Sequence, residues 1–113
     1  MRVLTFRECI LACLTQGPAY GLLVRDRMLS FTCNRGWLGC FDCNMMRLRL
    51  ELNCHYPILR NFEREGLATT HEIPGGKERG YRPRIVYSLT AEGSTVALYT
   101  MLRADKQRKE GKL

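Results

Sequence analysis

The sequence predicts an α+β fold in which helices surround a small three-stranded antiparallel sheet and a C-terminal helix closes the chain. Three observations predict it. Apolar residues recur at helical spacing behind a capping signature near the start of the chain. Apolar and polar residues alternate strictly over 46–52. Two strand-like runs flank a turn at 74–83 that is rich in Gly and Pro.

Thr5-Phe6-Arg7-Glu8 is a capping box, in which the Thr side chain accepts from the third amide and the Glu reaches back. Phe6, Ile10, Leu11 and Leu14 follow at helical spacing, and Gln16-Gly17-Pro18 ends the segment, so the first helix spans 5–16. A second helix is expected at about 20–30, with Leu22, Leu23, Met28 and Leu29 as its apolar residues. Residues 31–44 show no regular period and form a connection rich in Cys and Gly. In the alternating run, Met46, Leu48, Leu50 and Leu52 would face the core from a strand. Asn53 is placed to cap a third helix that tolerates Pro57 in its first turn, buries Ile58, Leu59 and Phe62, and ends at Gly66. Strands at 67–73 and 84–89 enclose the long turn, and Thr90 caps a last helix running to about 108. No repeat and no long linker divides the chain, so 1–113 is expected to be a single domain around one core.

The chain of 113 residues carries 18 Lys and Arg against 11 Asp and Glu, a formal charge of +7, and 14 of the 18 cations are Arg. That excess suits a polyanion, and a guanidinium grips phosphate or guanine with two bonds. No apolar run approaches the roughly 18 residues of a membrane span. The N-terminal residues hold charges where a secretory signal needs an apolar stretch, so a cytoplasmic protein is expected. Two His, no Ser-His-acid context and no phosphate-binding Gly loop argue against an enzyme.

Helix, helix, strand, helix, strand, basic turn, strand and helix is the order of a winged helix-turn-helix, in which the third helix reads double-stranded DNA. On that reading the polar face of the third helix offers Asn53, His55, Tyr56, Arg60, Asn61 and Arg64. Arg60 suits guanine and Asn61 adenine, whereas Arg64, late in the helix, suits phosphate or a local ion pair. The wing adds Lys77, Arg79, Arg82 and Arg84 against Glu78 alone, with Tyr81 as a stacking or hydroxyl contact. Lys106, Arg108 and Lys109 of the tail read as solvated charge.

Three blocks resemble PadR-like winged-helix regulators, with MarR-like proteins as broader relatives. They are Ile10-Leu11-Ala12-Cys13-Leu14-Thr15-Gln16-Gly17-Pro18-Ala19-Tyr20-Gly21, Tyr56-Pro57-Ile58-Leu59-Arg60-Asn61-Phe62-Glu63-Arg64-Glu65-Gly66-Leu67 and Tyr87-Ser88-Leu89-Thr90-Ala91-Glu92-Gly93. The middle block is the most specific, and the resemblance spans roughly residues 8–100. It implies a dimeric transcription regulator, usually a repressor, on a near-palindromic site. The chain departs from the pattern in its long, Cys-rich connection, in His55 where an apolar residue is common, and in a C-terminal part of one helix. That last helix holds Val96, Ala97, Leu98, Tyr99, Met101 and Leu102 on more than one face. The surplus face reads as a homodimer seam with the first helix, which would set two reading helices ~34 Å apart.

No cofactor is required by this reading, but the cysteines leave alternatives open. Cys33, Cys40 and Cys43 stand as C-x6-C-x2-C, with Cys54 at the start of the third helix. Four thiolates suit zinc or an iron–sulfur cluster, which would couple metal or redox state to the reading helix. Disulfides, or inert thiols around an apolar plug of Trp37, Leu38 and Phe41, fit as well. Cys9 and Cys13 read as core residues. Two further classes follow: a metal- or thiol-responsive DNA switch, and a winged helix used for protein–protein contact in replication or partition.

Overall fold

The computed structural model describes residues 4–32 and 43–109, with backbone only at 31, 32, 43, 44, 79 and 107–109. The described elements run α1 (Phe6–Cys13, extended by a 3₁₀ turn Leu14–Gln16), β1 (Ala19–Tyr20), α2 (Gly21–Thr32), α3 (Cys43–Glu51), α4 (His55–Arg64), β2 (Ala68–Ile73), a 3₁₀ turn Lys77–Arg79, β3 (Arg84–Leu89) and α5 (Ala91–Lys109). The α+β class is therefore as the sequence predicts, with a three-stranded antiparallel sheet ordered β1-β3-β2.

Three of the predicted caps form, those at Thr5, Gly66 and Thr90. Glu8 N–H donates to Thr5 Oγ1 at 3.1 Å, and Thr5 N–H donates to Glu8 Oε1 at 3.0 Å, closing the capping box of α1. Burial would raise the Glu8 carboxyl, but the Thr5 amide and the Arg103 guanidinium together hold it below its ordinary value. Gly66, at φ 78°, ends α4 in the left-handed region. Leu67 N–H donates to Phe62 O at 2.9 Å and Gly66 N–H to Glu63 O at 3.1 Å, the paired bonds of a Schellman ending. Thr90 Oγ1 accepts from Gly93 N–H at 3.0 Å and donates to Gly66 O at 2.7 Å, so one hydroxyl ties the start of α5 to the end of α4.

The third strand of the sheet is not the one the alternation predicts. Residues 43–51 are helical, and the strand beside β3 is the two-residue β1, where Ala19 pairs with Tyr87 and Tyr20 with Val86. Burial states why. Met46 and Leu50, four residues apart, are buried, while Leu48 and Leu52, which a strand would have put beside them, are exposed. Met, Arg, Leu and Glu are all good helix formers and the run has no β-branched residue, so propensity outweighs the alternation.

One core joins the elements. Phe6, Ile10, Leu11 and Leu14 of the first helical segment meet Val24 and Met28 of α2, Leu50 of α3, Leu59 and Phe62 of α4, and Ala97 and Ala104 of α5. α4 is held on three sides, against α1, α2 and β2, which fixes the direction of its outer face. Among the described residues no helix is long and apolar enough to cross a membrane.

Candidate nucleic-acid interface

α4 divides cleanly into two faces. His55, Leu59 and Phe62 are buried, whereas Tyr56, Pro57, Arg60, Asn61 and Arg64 are exposed. Three to four residues separate the buried positions, so the exposed ones share the opposite side of the helix. Arg60 has no ion-pair partner among the described residues. Arg64 Nη1 donates to Asn61 Oδ1 at 3.4 Å, a long bond between two members of the exposed face. The carboxylates of the helix are engaged elsewhere. Glu63 accepts from Thr70 Oγ1 at 2.7 Å, and Glu65 takes a two-pronged bond from Arg7 at 2.7 Å. Glu65 is thus neutralised by Arg7, while Glu63 keeps its charge on the β2 side, so the outward face carries Arg60 and Arg64 as an excess of positive charge.

His55 is a correction. The polar reading of the third helix gives it to DNA, but its side chain is fully enclosed. It occupies the first buried position of α4, where Nε2–H donates to Gly21 O at 3.1 Å and so pins the helix start to α2. Burial lowers its pKa; the Gly21 bond opposes the shift and the charge of Arg25 adds to it. Asn53 also differs from expectation. It sits exposed in the 52–54 turn at φ 60°, and Cys54 is the capping residue, with no side-chain bond. That three-residue turn makes α3, and not α2, the helix directly preceding α4 in the chain.

The wing is a hairpin in which β2 and β3 pair from Ala68 with Leu89 out to Ile73 with Arg84. Lys77, Tyr81 and Arg82 are exposed on its connecting turn, and Tyr81 is left-handed at φ 63°. The side chain of Arg79 lies outside the described residues. Arg84 opens β3 in the pair with Ile73, beside the turn, and is half-buried, its guanidinium 4.4 Å from the ring centre of Tyr20.

Between α4 and β3 lies a groove of about 330 Å³. Tyr56 and Arg60 of α4, Arg84, Ile85 and Tyr87 of β3, and Tyr20, Gly21 and Leu22 around the start of α2 line it. The Tyr56 ring covers Gly21 so closely that a Cβ there would collide with it. Burial raises the Tyr87 phenol above its ordinary value, with Glu63 reinforcing and Arg60 opposing. Tyr20, Leu22, Ile85 and Tyr87 were not singled out as site residues in the sequence. The available signal was Tyr20 directly after Pro18-Ala19, a β-favouring residue at the start of what reads as helix.

Of the cysteine cluster, Cys33 and Cys40 lie outside the described residues, as does the proposed plug of Trp37, Leu38 and Phe41. Cys43 is described only as the first backbone position of α3, and Cys54 is an exposed free thiol. Cys9 and Cys13 are core residues, and burial, opposed by Arg27, pushes the Cys13 thiol up to about 11. Among the described residues, no group of three or more potential ligands converges on a metal position.

α5 buries Ala97, Thr100 and Ala104 but exposes Val96, Leu98, Tyr99 and Leu102, with Tyr99 at 75%. Beside it runs a second groove, about 500 Å³, where Leu98 and Met101 face Leu14, Gly17 and Pro18 from the end of the first helical segment. No protein-family model matches the chain, and no curated protein does.

Proposed function

We propose that the chain is a sequence-specific transcription regulator of the PadR-like winged helix-turn-helix class. It binds double-stranded DNA in the cytoplasm as a homodimer and acts as a repressor, by binding and not by catalysis. The observation that carries this reading is the cationic outer face of α4, Tyr56, Arg60, Asn61 and Arg64, contiguous through one groove with strand β3 of a basic hairpin. A helix face of that composition reads base edges in a major groove, and the hairpin follows the phosphates. The exposed apolar residues of α5 and the groove beside Leu14 support a dimer seam on the opposite part of the chain.

Selection of bound sequences from random duplexes tests specificity and symmetry together. A preferred palindrome supports the dimeric reader, and recovery of no preferred sequence contradicts it. The salt dependence of duplex affinity tests the wing. Replacing Arg82 or Arg79 lowers the slope by about one unit each. An unchanged slope in both variants removes the wing from the interface.

A further inference from the structure

We propose that the groove between α4, the start of α2 and strand β3 of the wing binds a single unpaired nucleotide, its phosphate on Arg84 and Arg60 and its base among the tyrosines. This rests on the nucleic-acid reading above, whose interface it shares. The first observation is an unmet donor. Arg84 Nε is buried and has no hydrogen-bond partner among the described residues, while its guanidinium carbon lies over the Tyr20 ring, 4.4 Å from its centre. A guanidinium held over a ring keeps its orientation, and it donates to phosphate oxygens. Arg60, across the groove, has no ion-pair partner among the described residues. Two guanidiniums without an ion-pair partner among the described residues line one hollow and outnumber the Glu63 carboxylate that also acts on Tyr87, which favours an anion there.

The second observation is that the rest of the hollow suits a ring. Tyr56, Tyr87 and Ile85 line it, and its volume is about 330 Å³. That is at the lower end of small-ligand sites, roughly 300–1,000 Å³, and far more than a phosphate alone occupies. Bases lie against tyrosine rings and arginine planes when their faces are free. A base inside a duplex has both faces stacked, so the unit that fits is unpaired. It comes either as a free nucleoside monophosphate or as the unpaired end of a strand.

Titration of the full chain with thymidine 5′-monophosphate, thymidine and inorganic phosphate, followed by the side-chain NMR signals of its tyrosines, tests the site. The monophosphate is expected to saturate, with thymidine and phosphate each at least about tenfold weaker. Arg84→Gln is expected to weaken the monophosphate by about tenfold. Ile85→Trp, which fills the hollow, is expected to abolish its binding. Circular dichroism melts of both variants check that they fold, and an Arg60→Gln variant on the exposed helix face provides an independent loss. If inorganic phosphate binds as well as the nucleotide, or Ile85→Trp binds it unchanged, the proposal is wrong. No saturation by about 10 mM monophosphate, with blunt duplex still bound, overturns this inference and leaves the DNA reading standing. Loss of both kinds of binding overturns both. Tighter binding to a duplex with a one-nucleotide overhang than to its blunt form assigns the unit to a strand end, and equal binding assigns it to the free nucleotide.

Discussion

α3 and α4 follow one another across the turn at 52–54, yet they are built on opposite plans. α4 sorts its residues by face, with His55, Leu59 and Phe62 inside and Arg60, Asn61 and Arg64 outside. α3 does not. It buries Met46 and Leu50 but turns Met45 and Leu48 outward, and Leu52 after it is 66% exposed. A helix whose polarity matches its period carries a face available for charged partners, because its inner contacts already hold it in place. A helix with apolar residues all round has no such specialised face. The contrast leaves α4 as the helix with a distinct polar outer face and α3 as its structural neighbour.

The contrast breaks most visibly at Phe62. It is fully buried, touches the core from α4 and has the Arg7 guanidinium 4.9 Å from its ring centre. Phe62→Ala is expected to cost about 3–5 kcal/mol, a large fraction of the stability of a small domain. A urea midpoint within experimental error of the wild type would show that α4 is not anchored in this way. In α3, Leu50→Ala is expected to cost about 2–5 kcal/mol, and Leu48→Ala to stay within about 0.5 kcal/mol. Equal losses at the two positions would restore the strand, since a strand buries residues two apart on the same face.

The same two helices show what is legible in the sequence. The Thr5–Glu8 box, the Gly66 ending and the Thr90 cap are local devices, each set by a few neighbouring residues, and all three form where the sequence places them. The alternation at 46–52 misled because Leu and Arg serve either period, and the deciding contact of α3 with α2 is remote in sequence. Strand β1 is held by its pairing with Tyr87 and Val86, a partner more than sixty residues away, and leaves only a two-residue trace. His55 shows the same limit at the candidate site. Its polarity suggests an outer position, but its spacing from Leu59 and Phe62 belongs to the inner face, and spacing prevails because Gly21 O is there to meet it. The groove was hidden for the same reason, since Tyr20 and Arg84 come together only through the sheet.

On the outer face of α4 the expected effects are on binding and not on stability. Arg60→Ala is expected to weaken the preferred duplex by about 1–3 kcal/mol and to relax preference at one base position, with a melting temperature close to that of the wild type. Arg64→Ala is expected to weaken all sequences alike and by less, as suits a phosphate contact shared with a bond to Asn61. If Arg60→Ala weakens all sequences equally, Arg60 holds phosphate and the reading residue lies elsewhere on the helix.

The smallest effect expected is a pH dependence at the inner face. The bond to Gly21 O requires the proton on His55 Nε2, which leaves Nδ1 bare, and Nδ1 is buried with no partner among the described residues. Protonation would place an unsatisfied N–H and a positive charge in that space, near Arg25. The folded-state pKa is therefore below the ordinary value of 6.5. At pH values between the two, the unfolded chain binds the proton that the folded chain refuses, so stability rises with pH across that window. The contribution is complete above about pH 6.5 and is lost progressively as pH falls toward the folded value, with a slope no steeper than about 1.4 kcal/mol per pH unit. Glu8, held below its ordinary 4.5, adds a separate loss at more acid pH. Urea midpoints at pH 7 and pH 5.5 for the wild type and His55→Gln measure the effect. The variant keeps a donor for Gly21 O but cannot titrate, so it is less stable at pH 7 and flatter with pH. Parallel curves would mean that His55 takes up its proton over the same pH range folded as unfolded, and with it that the start of α4 is open to water.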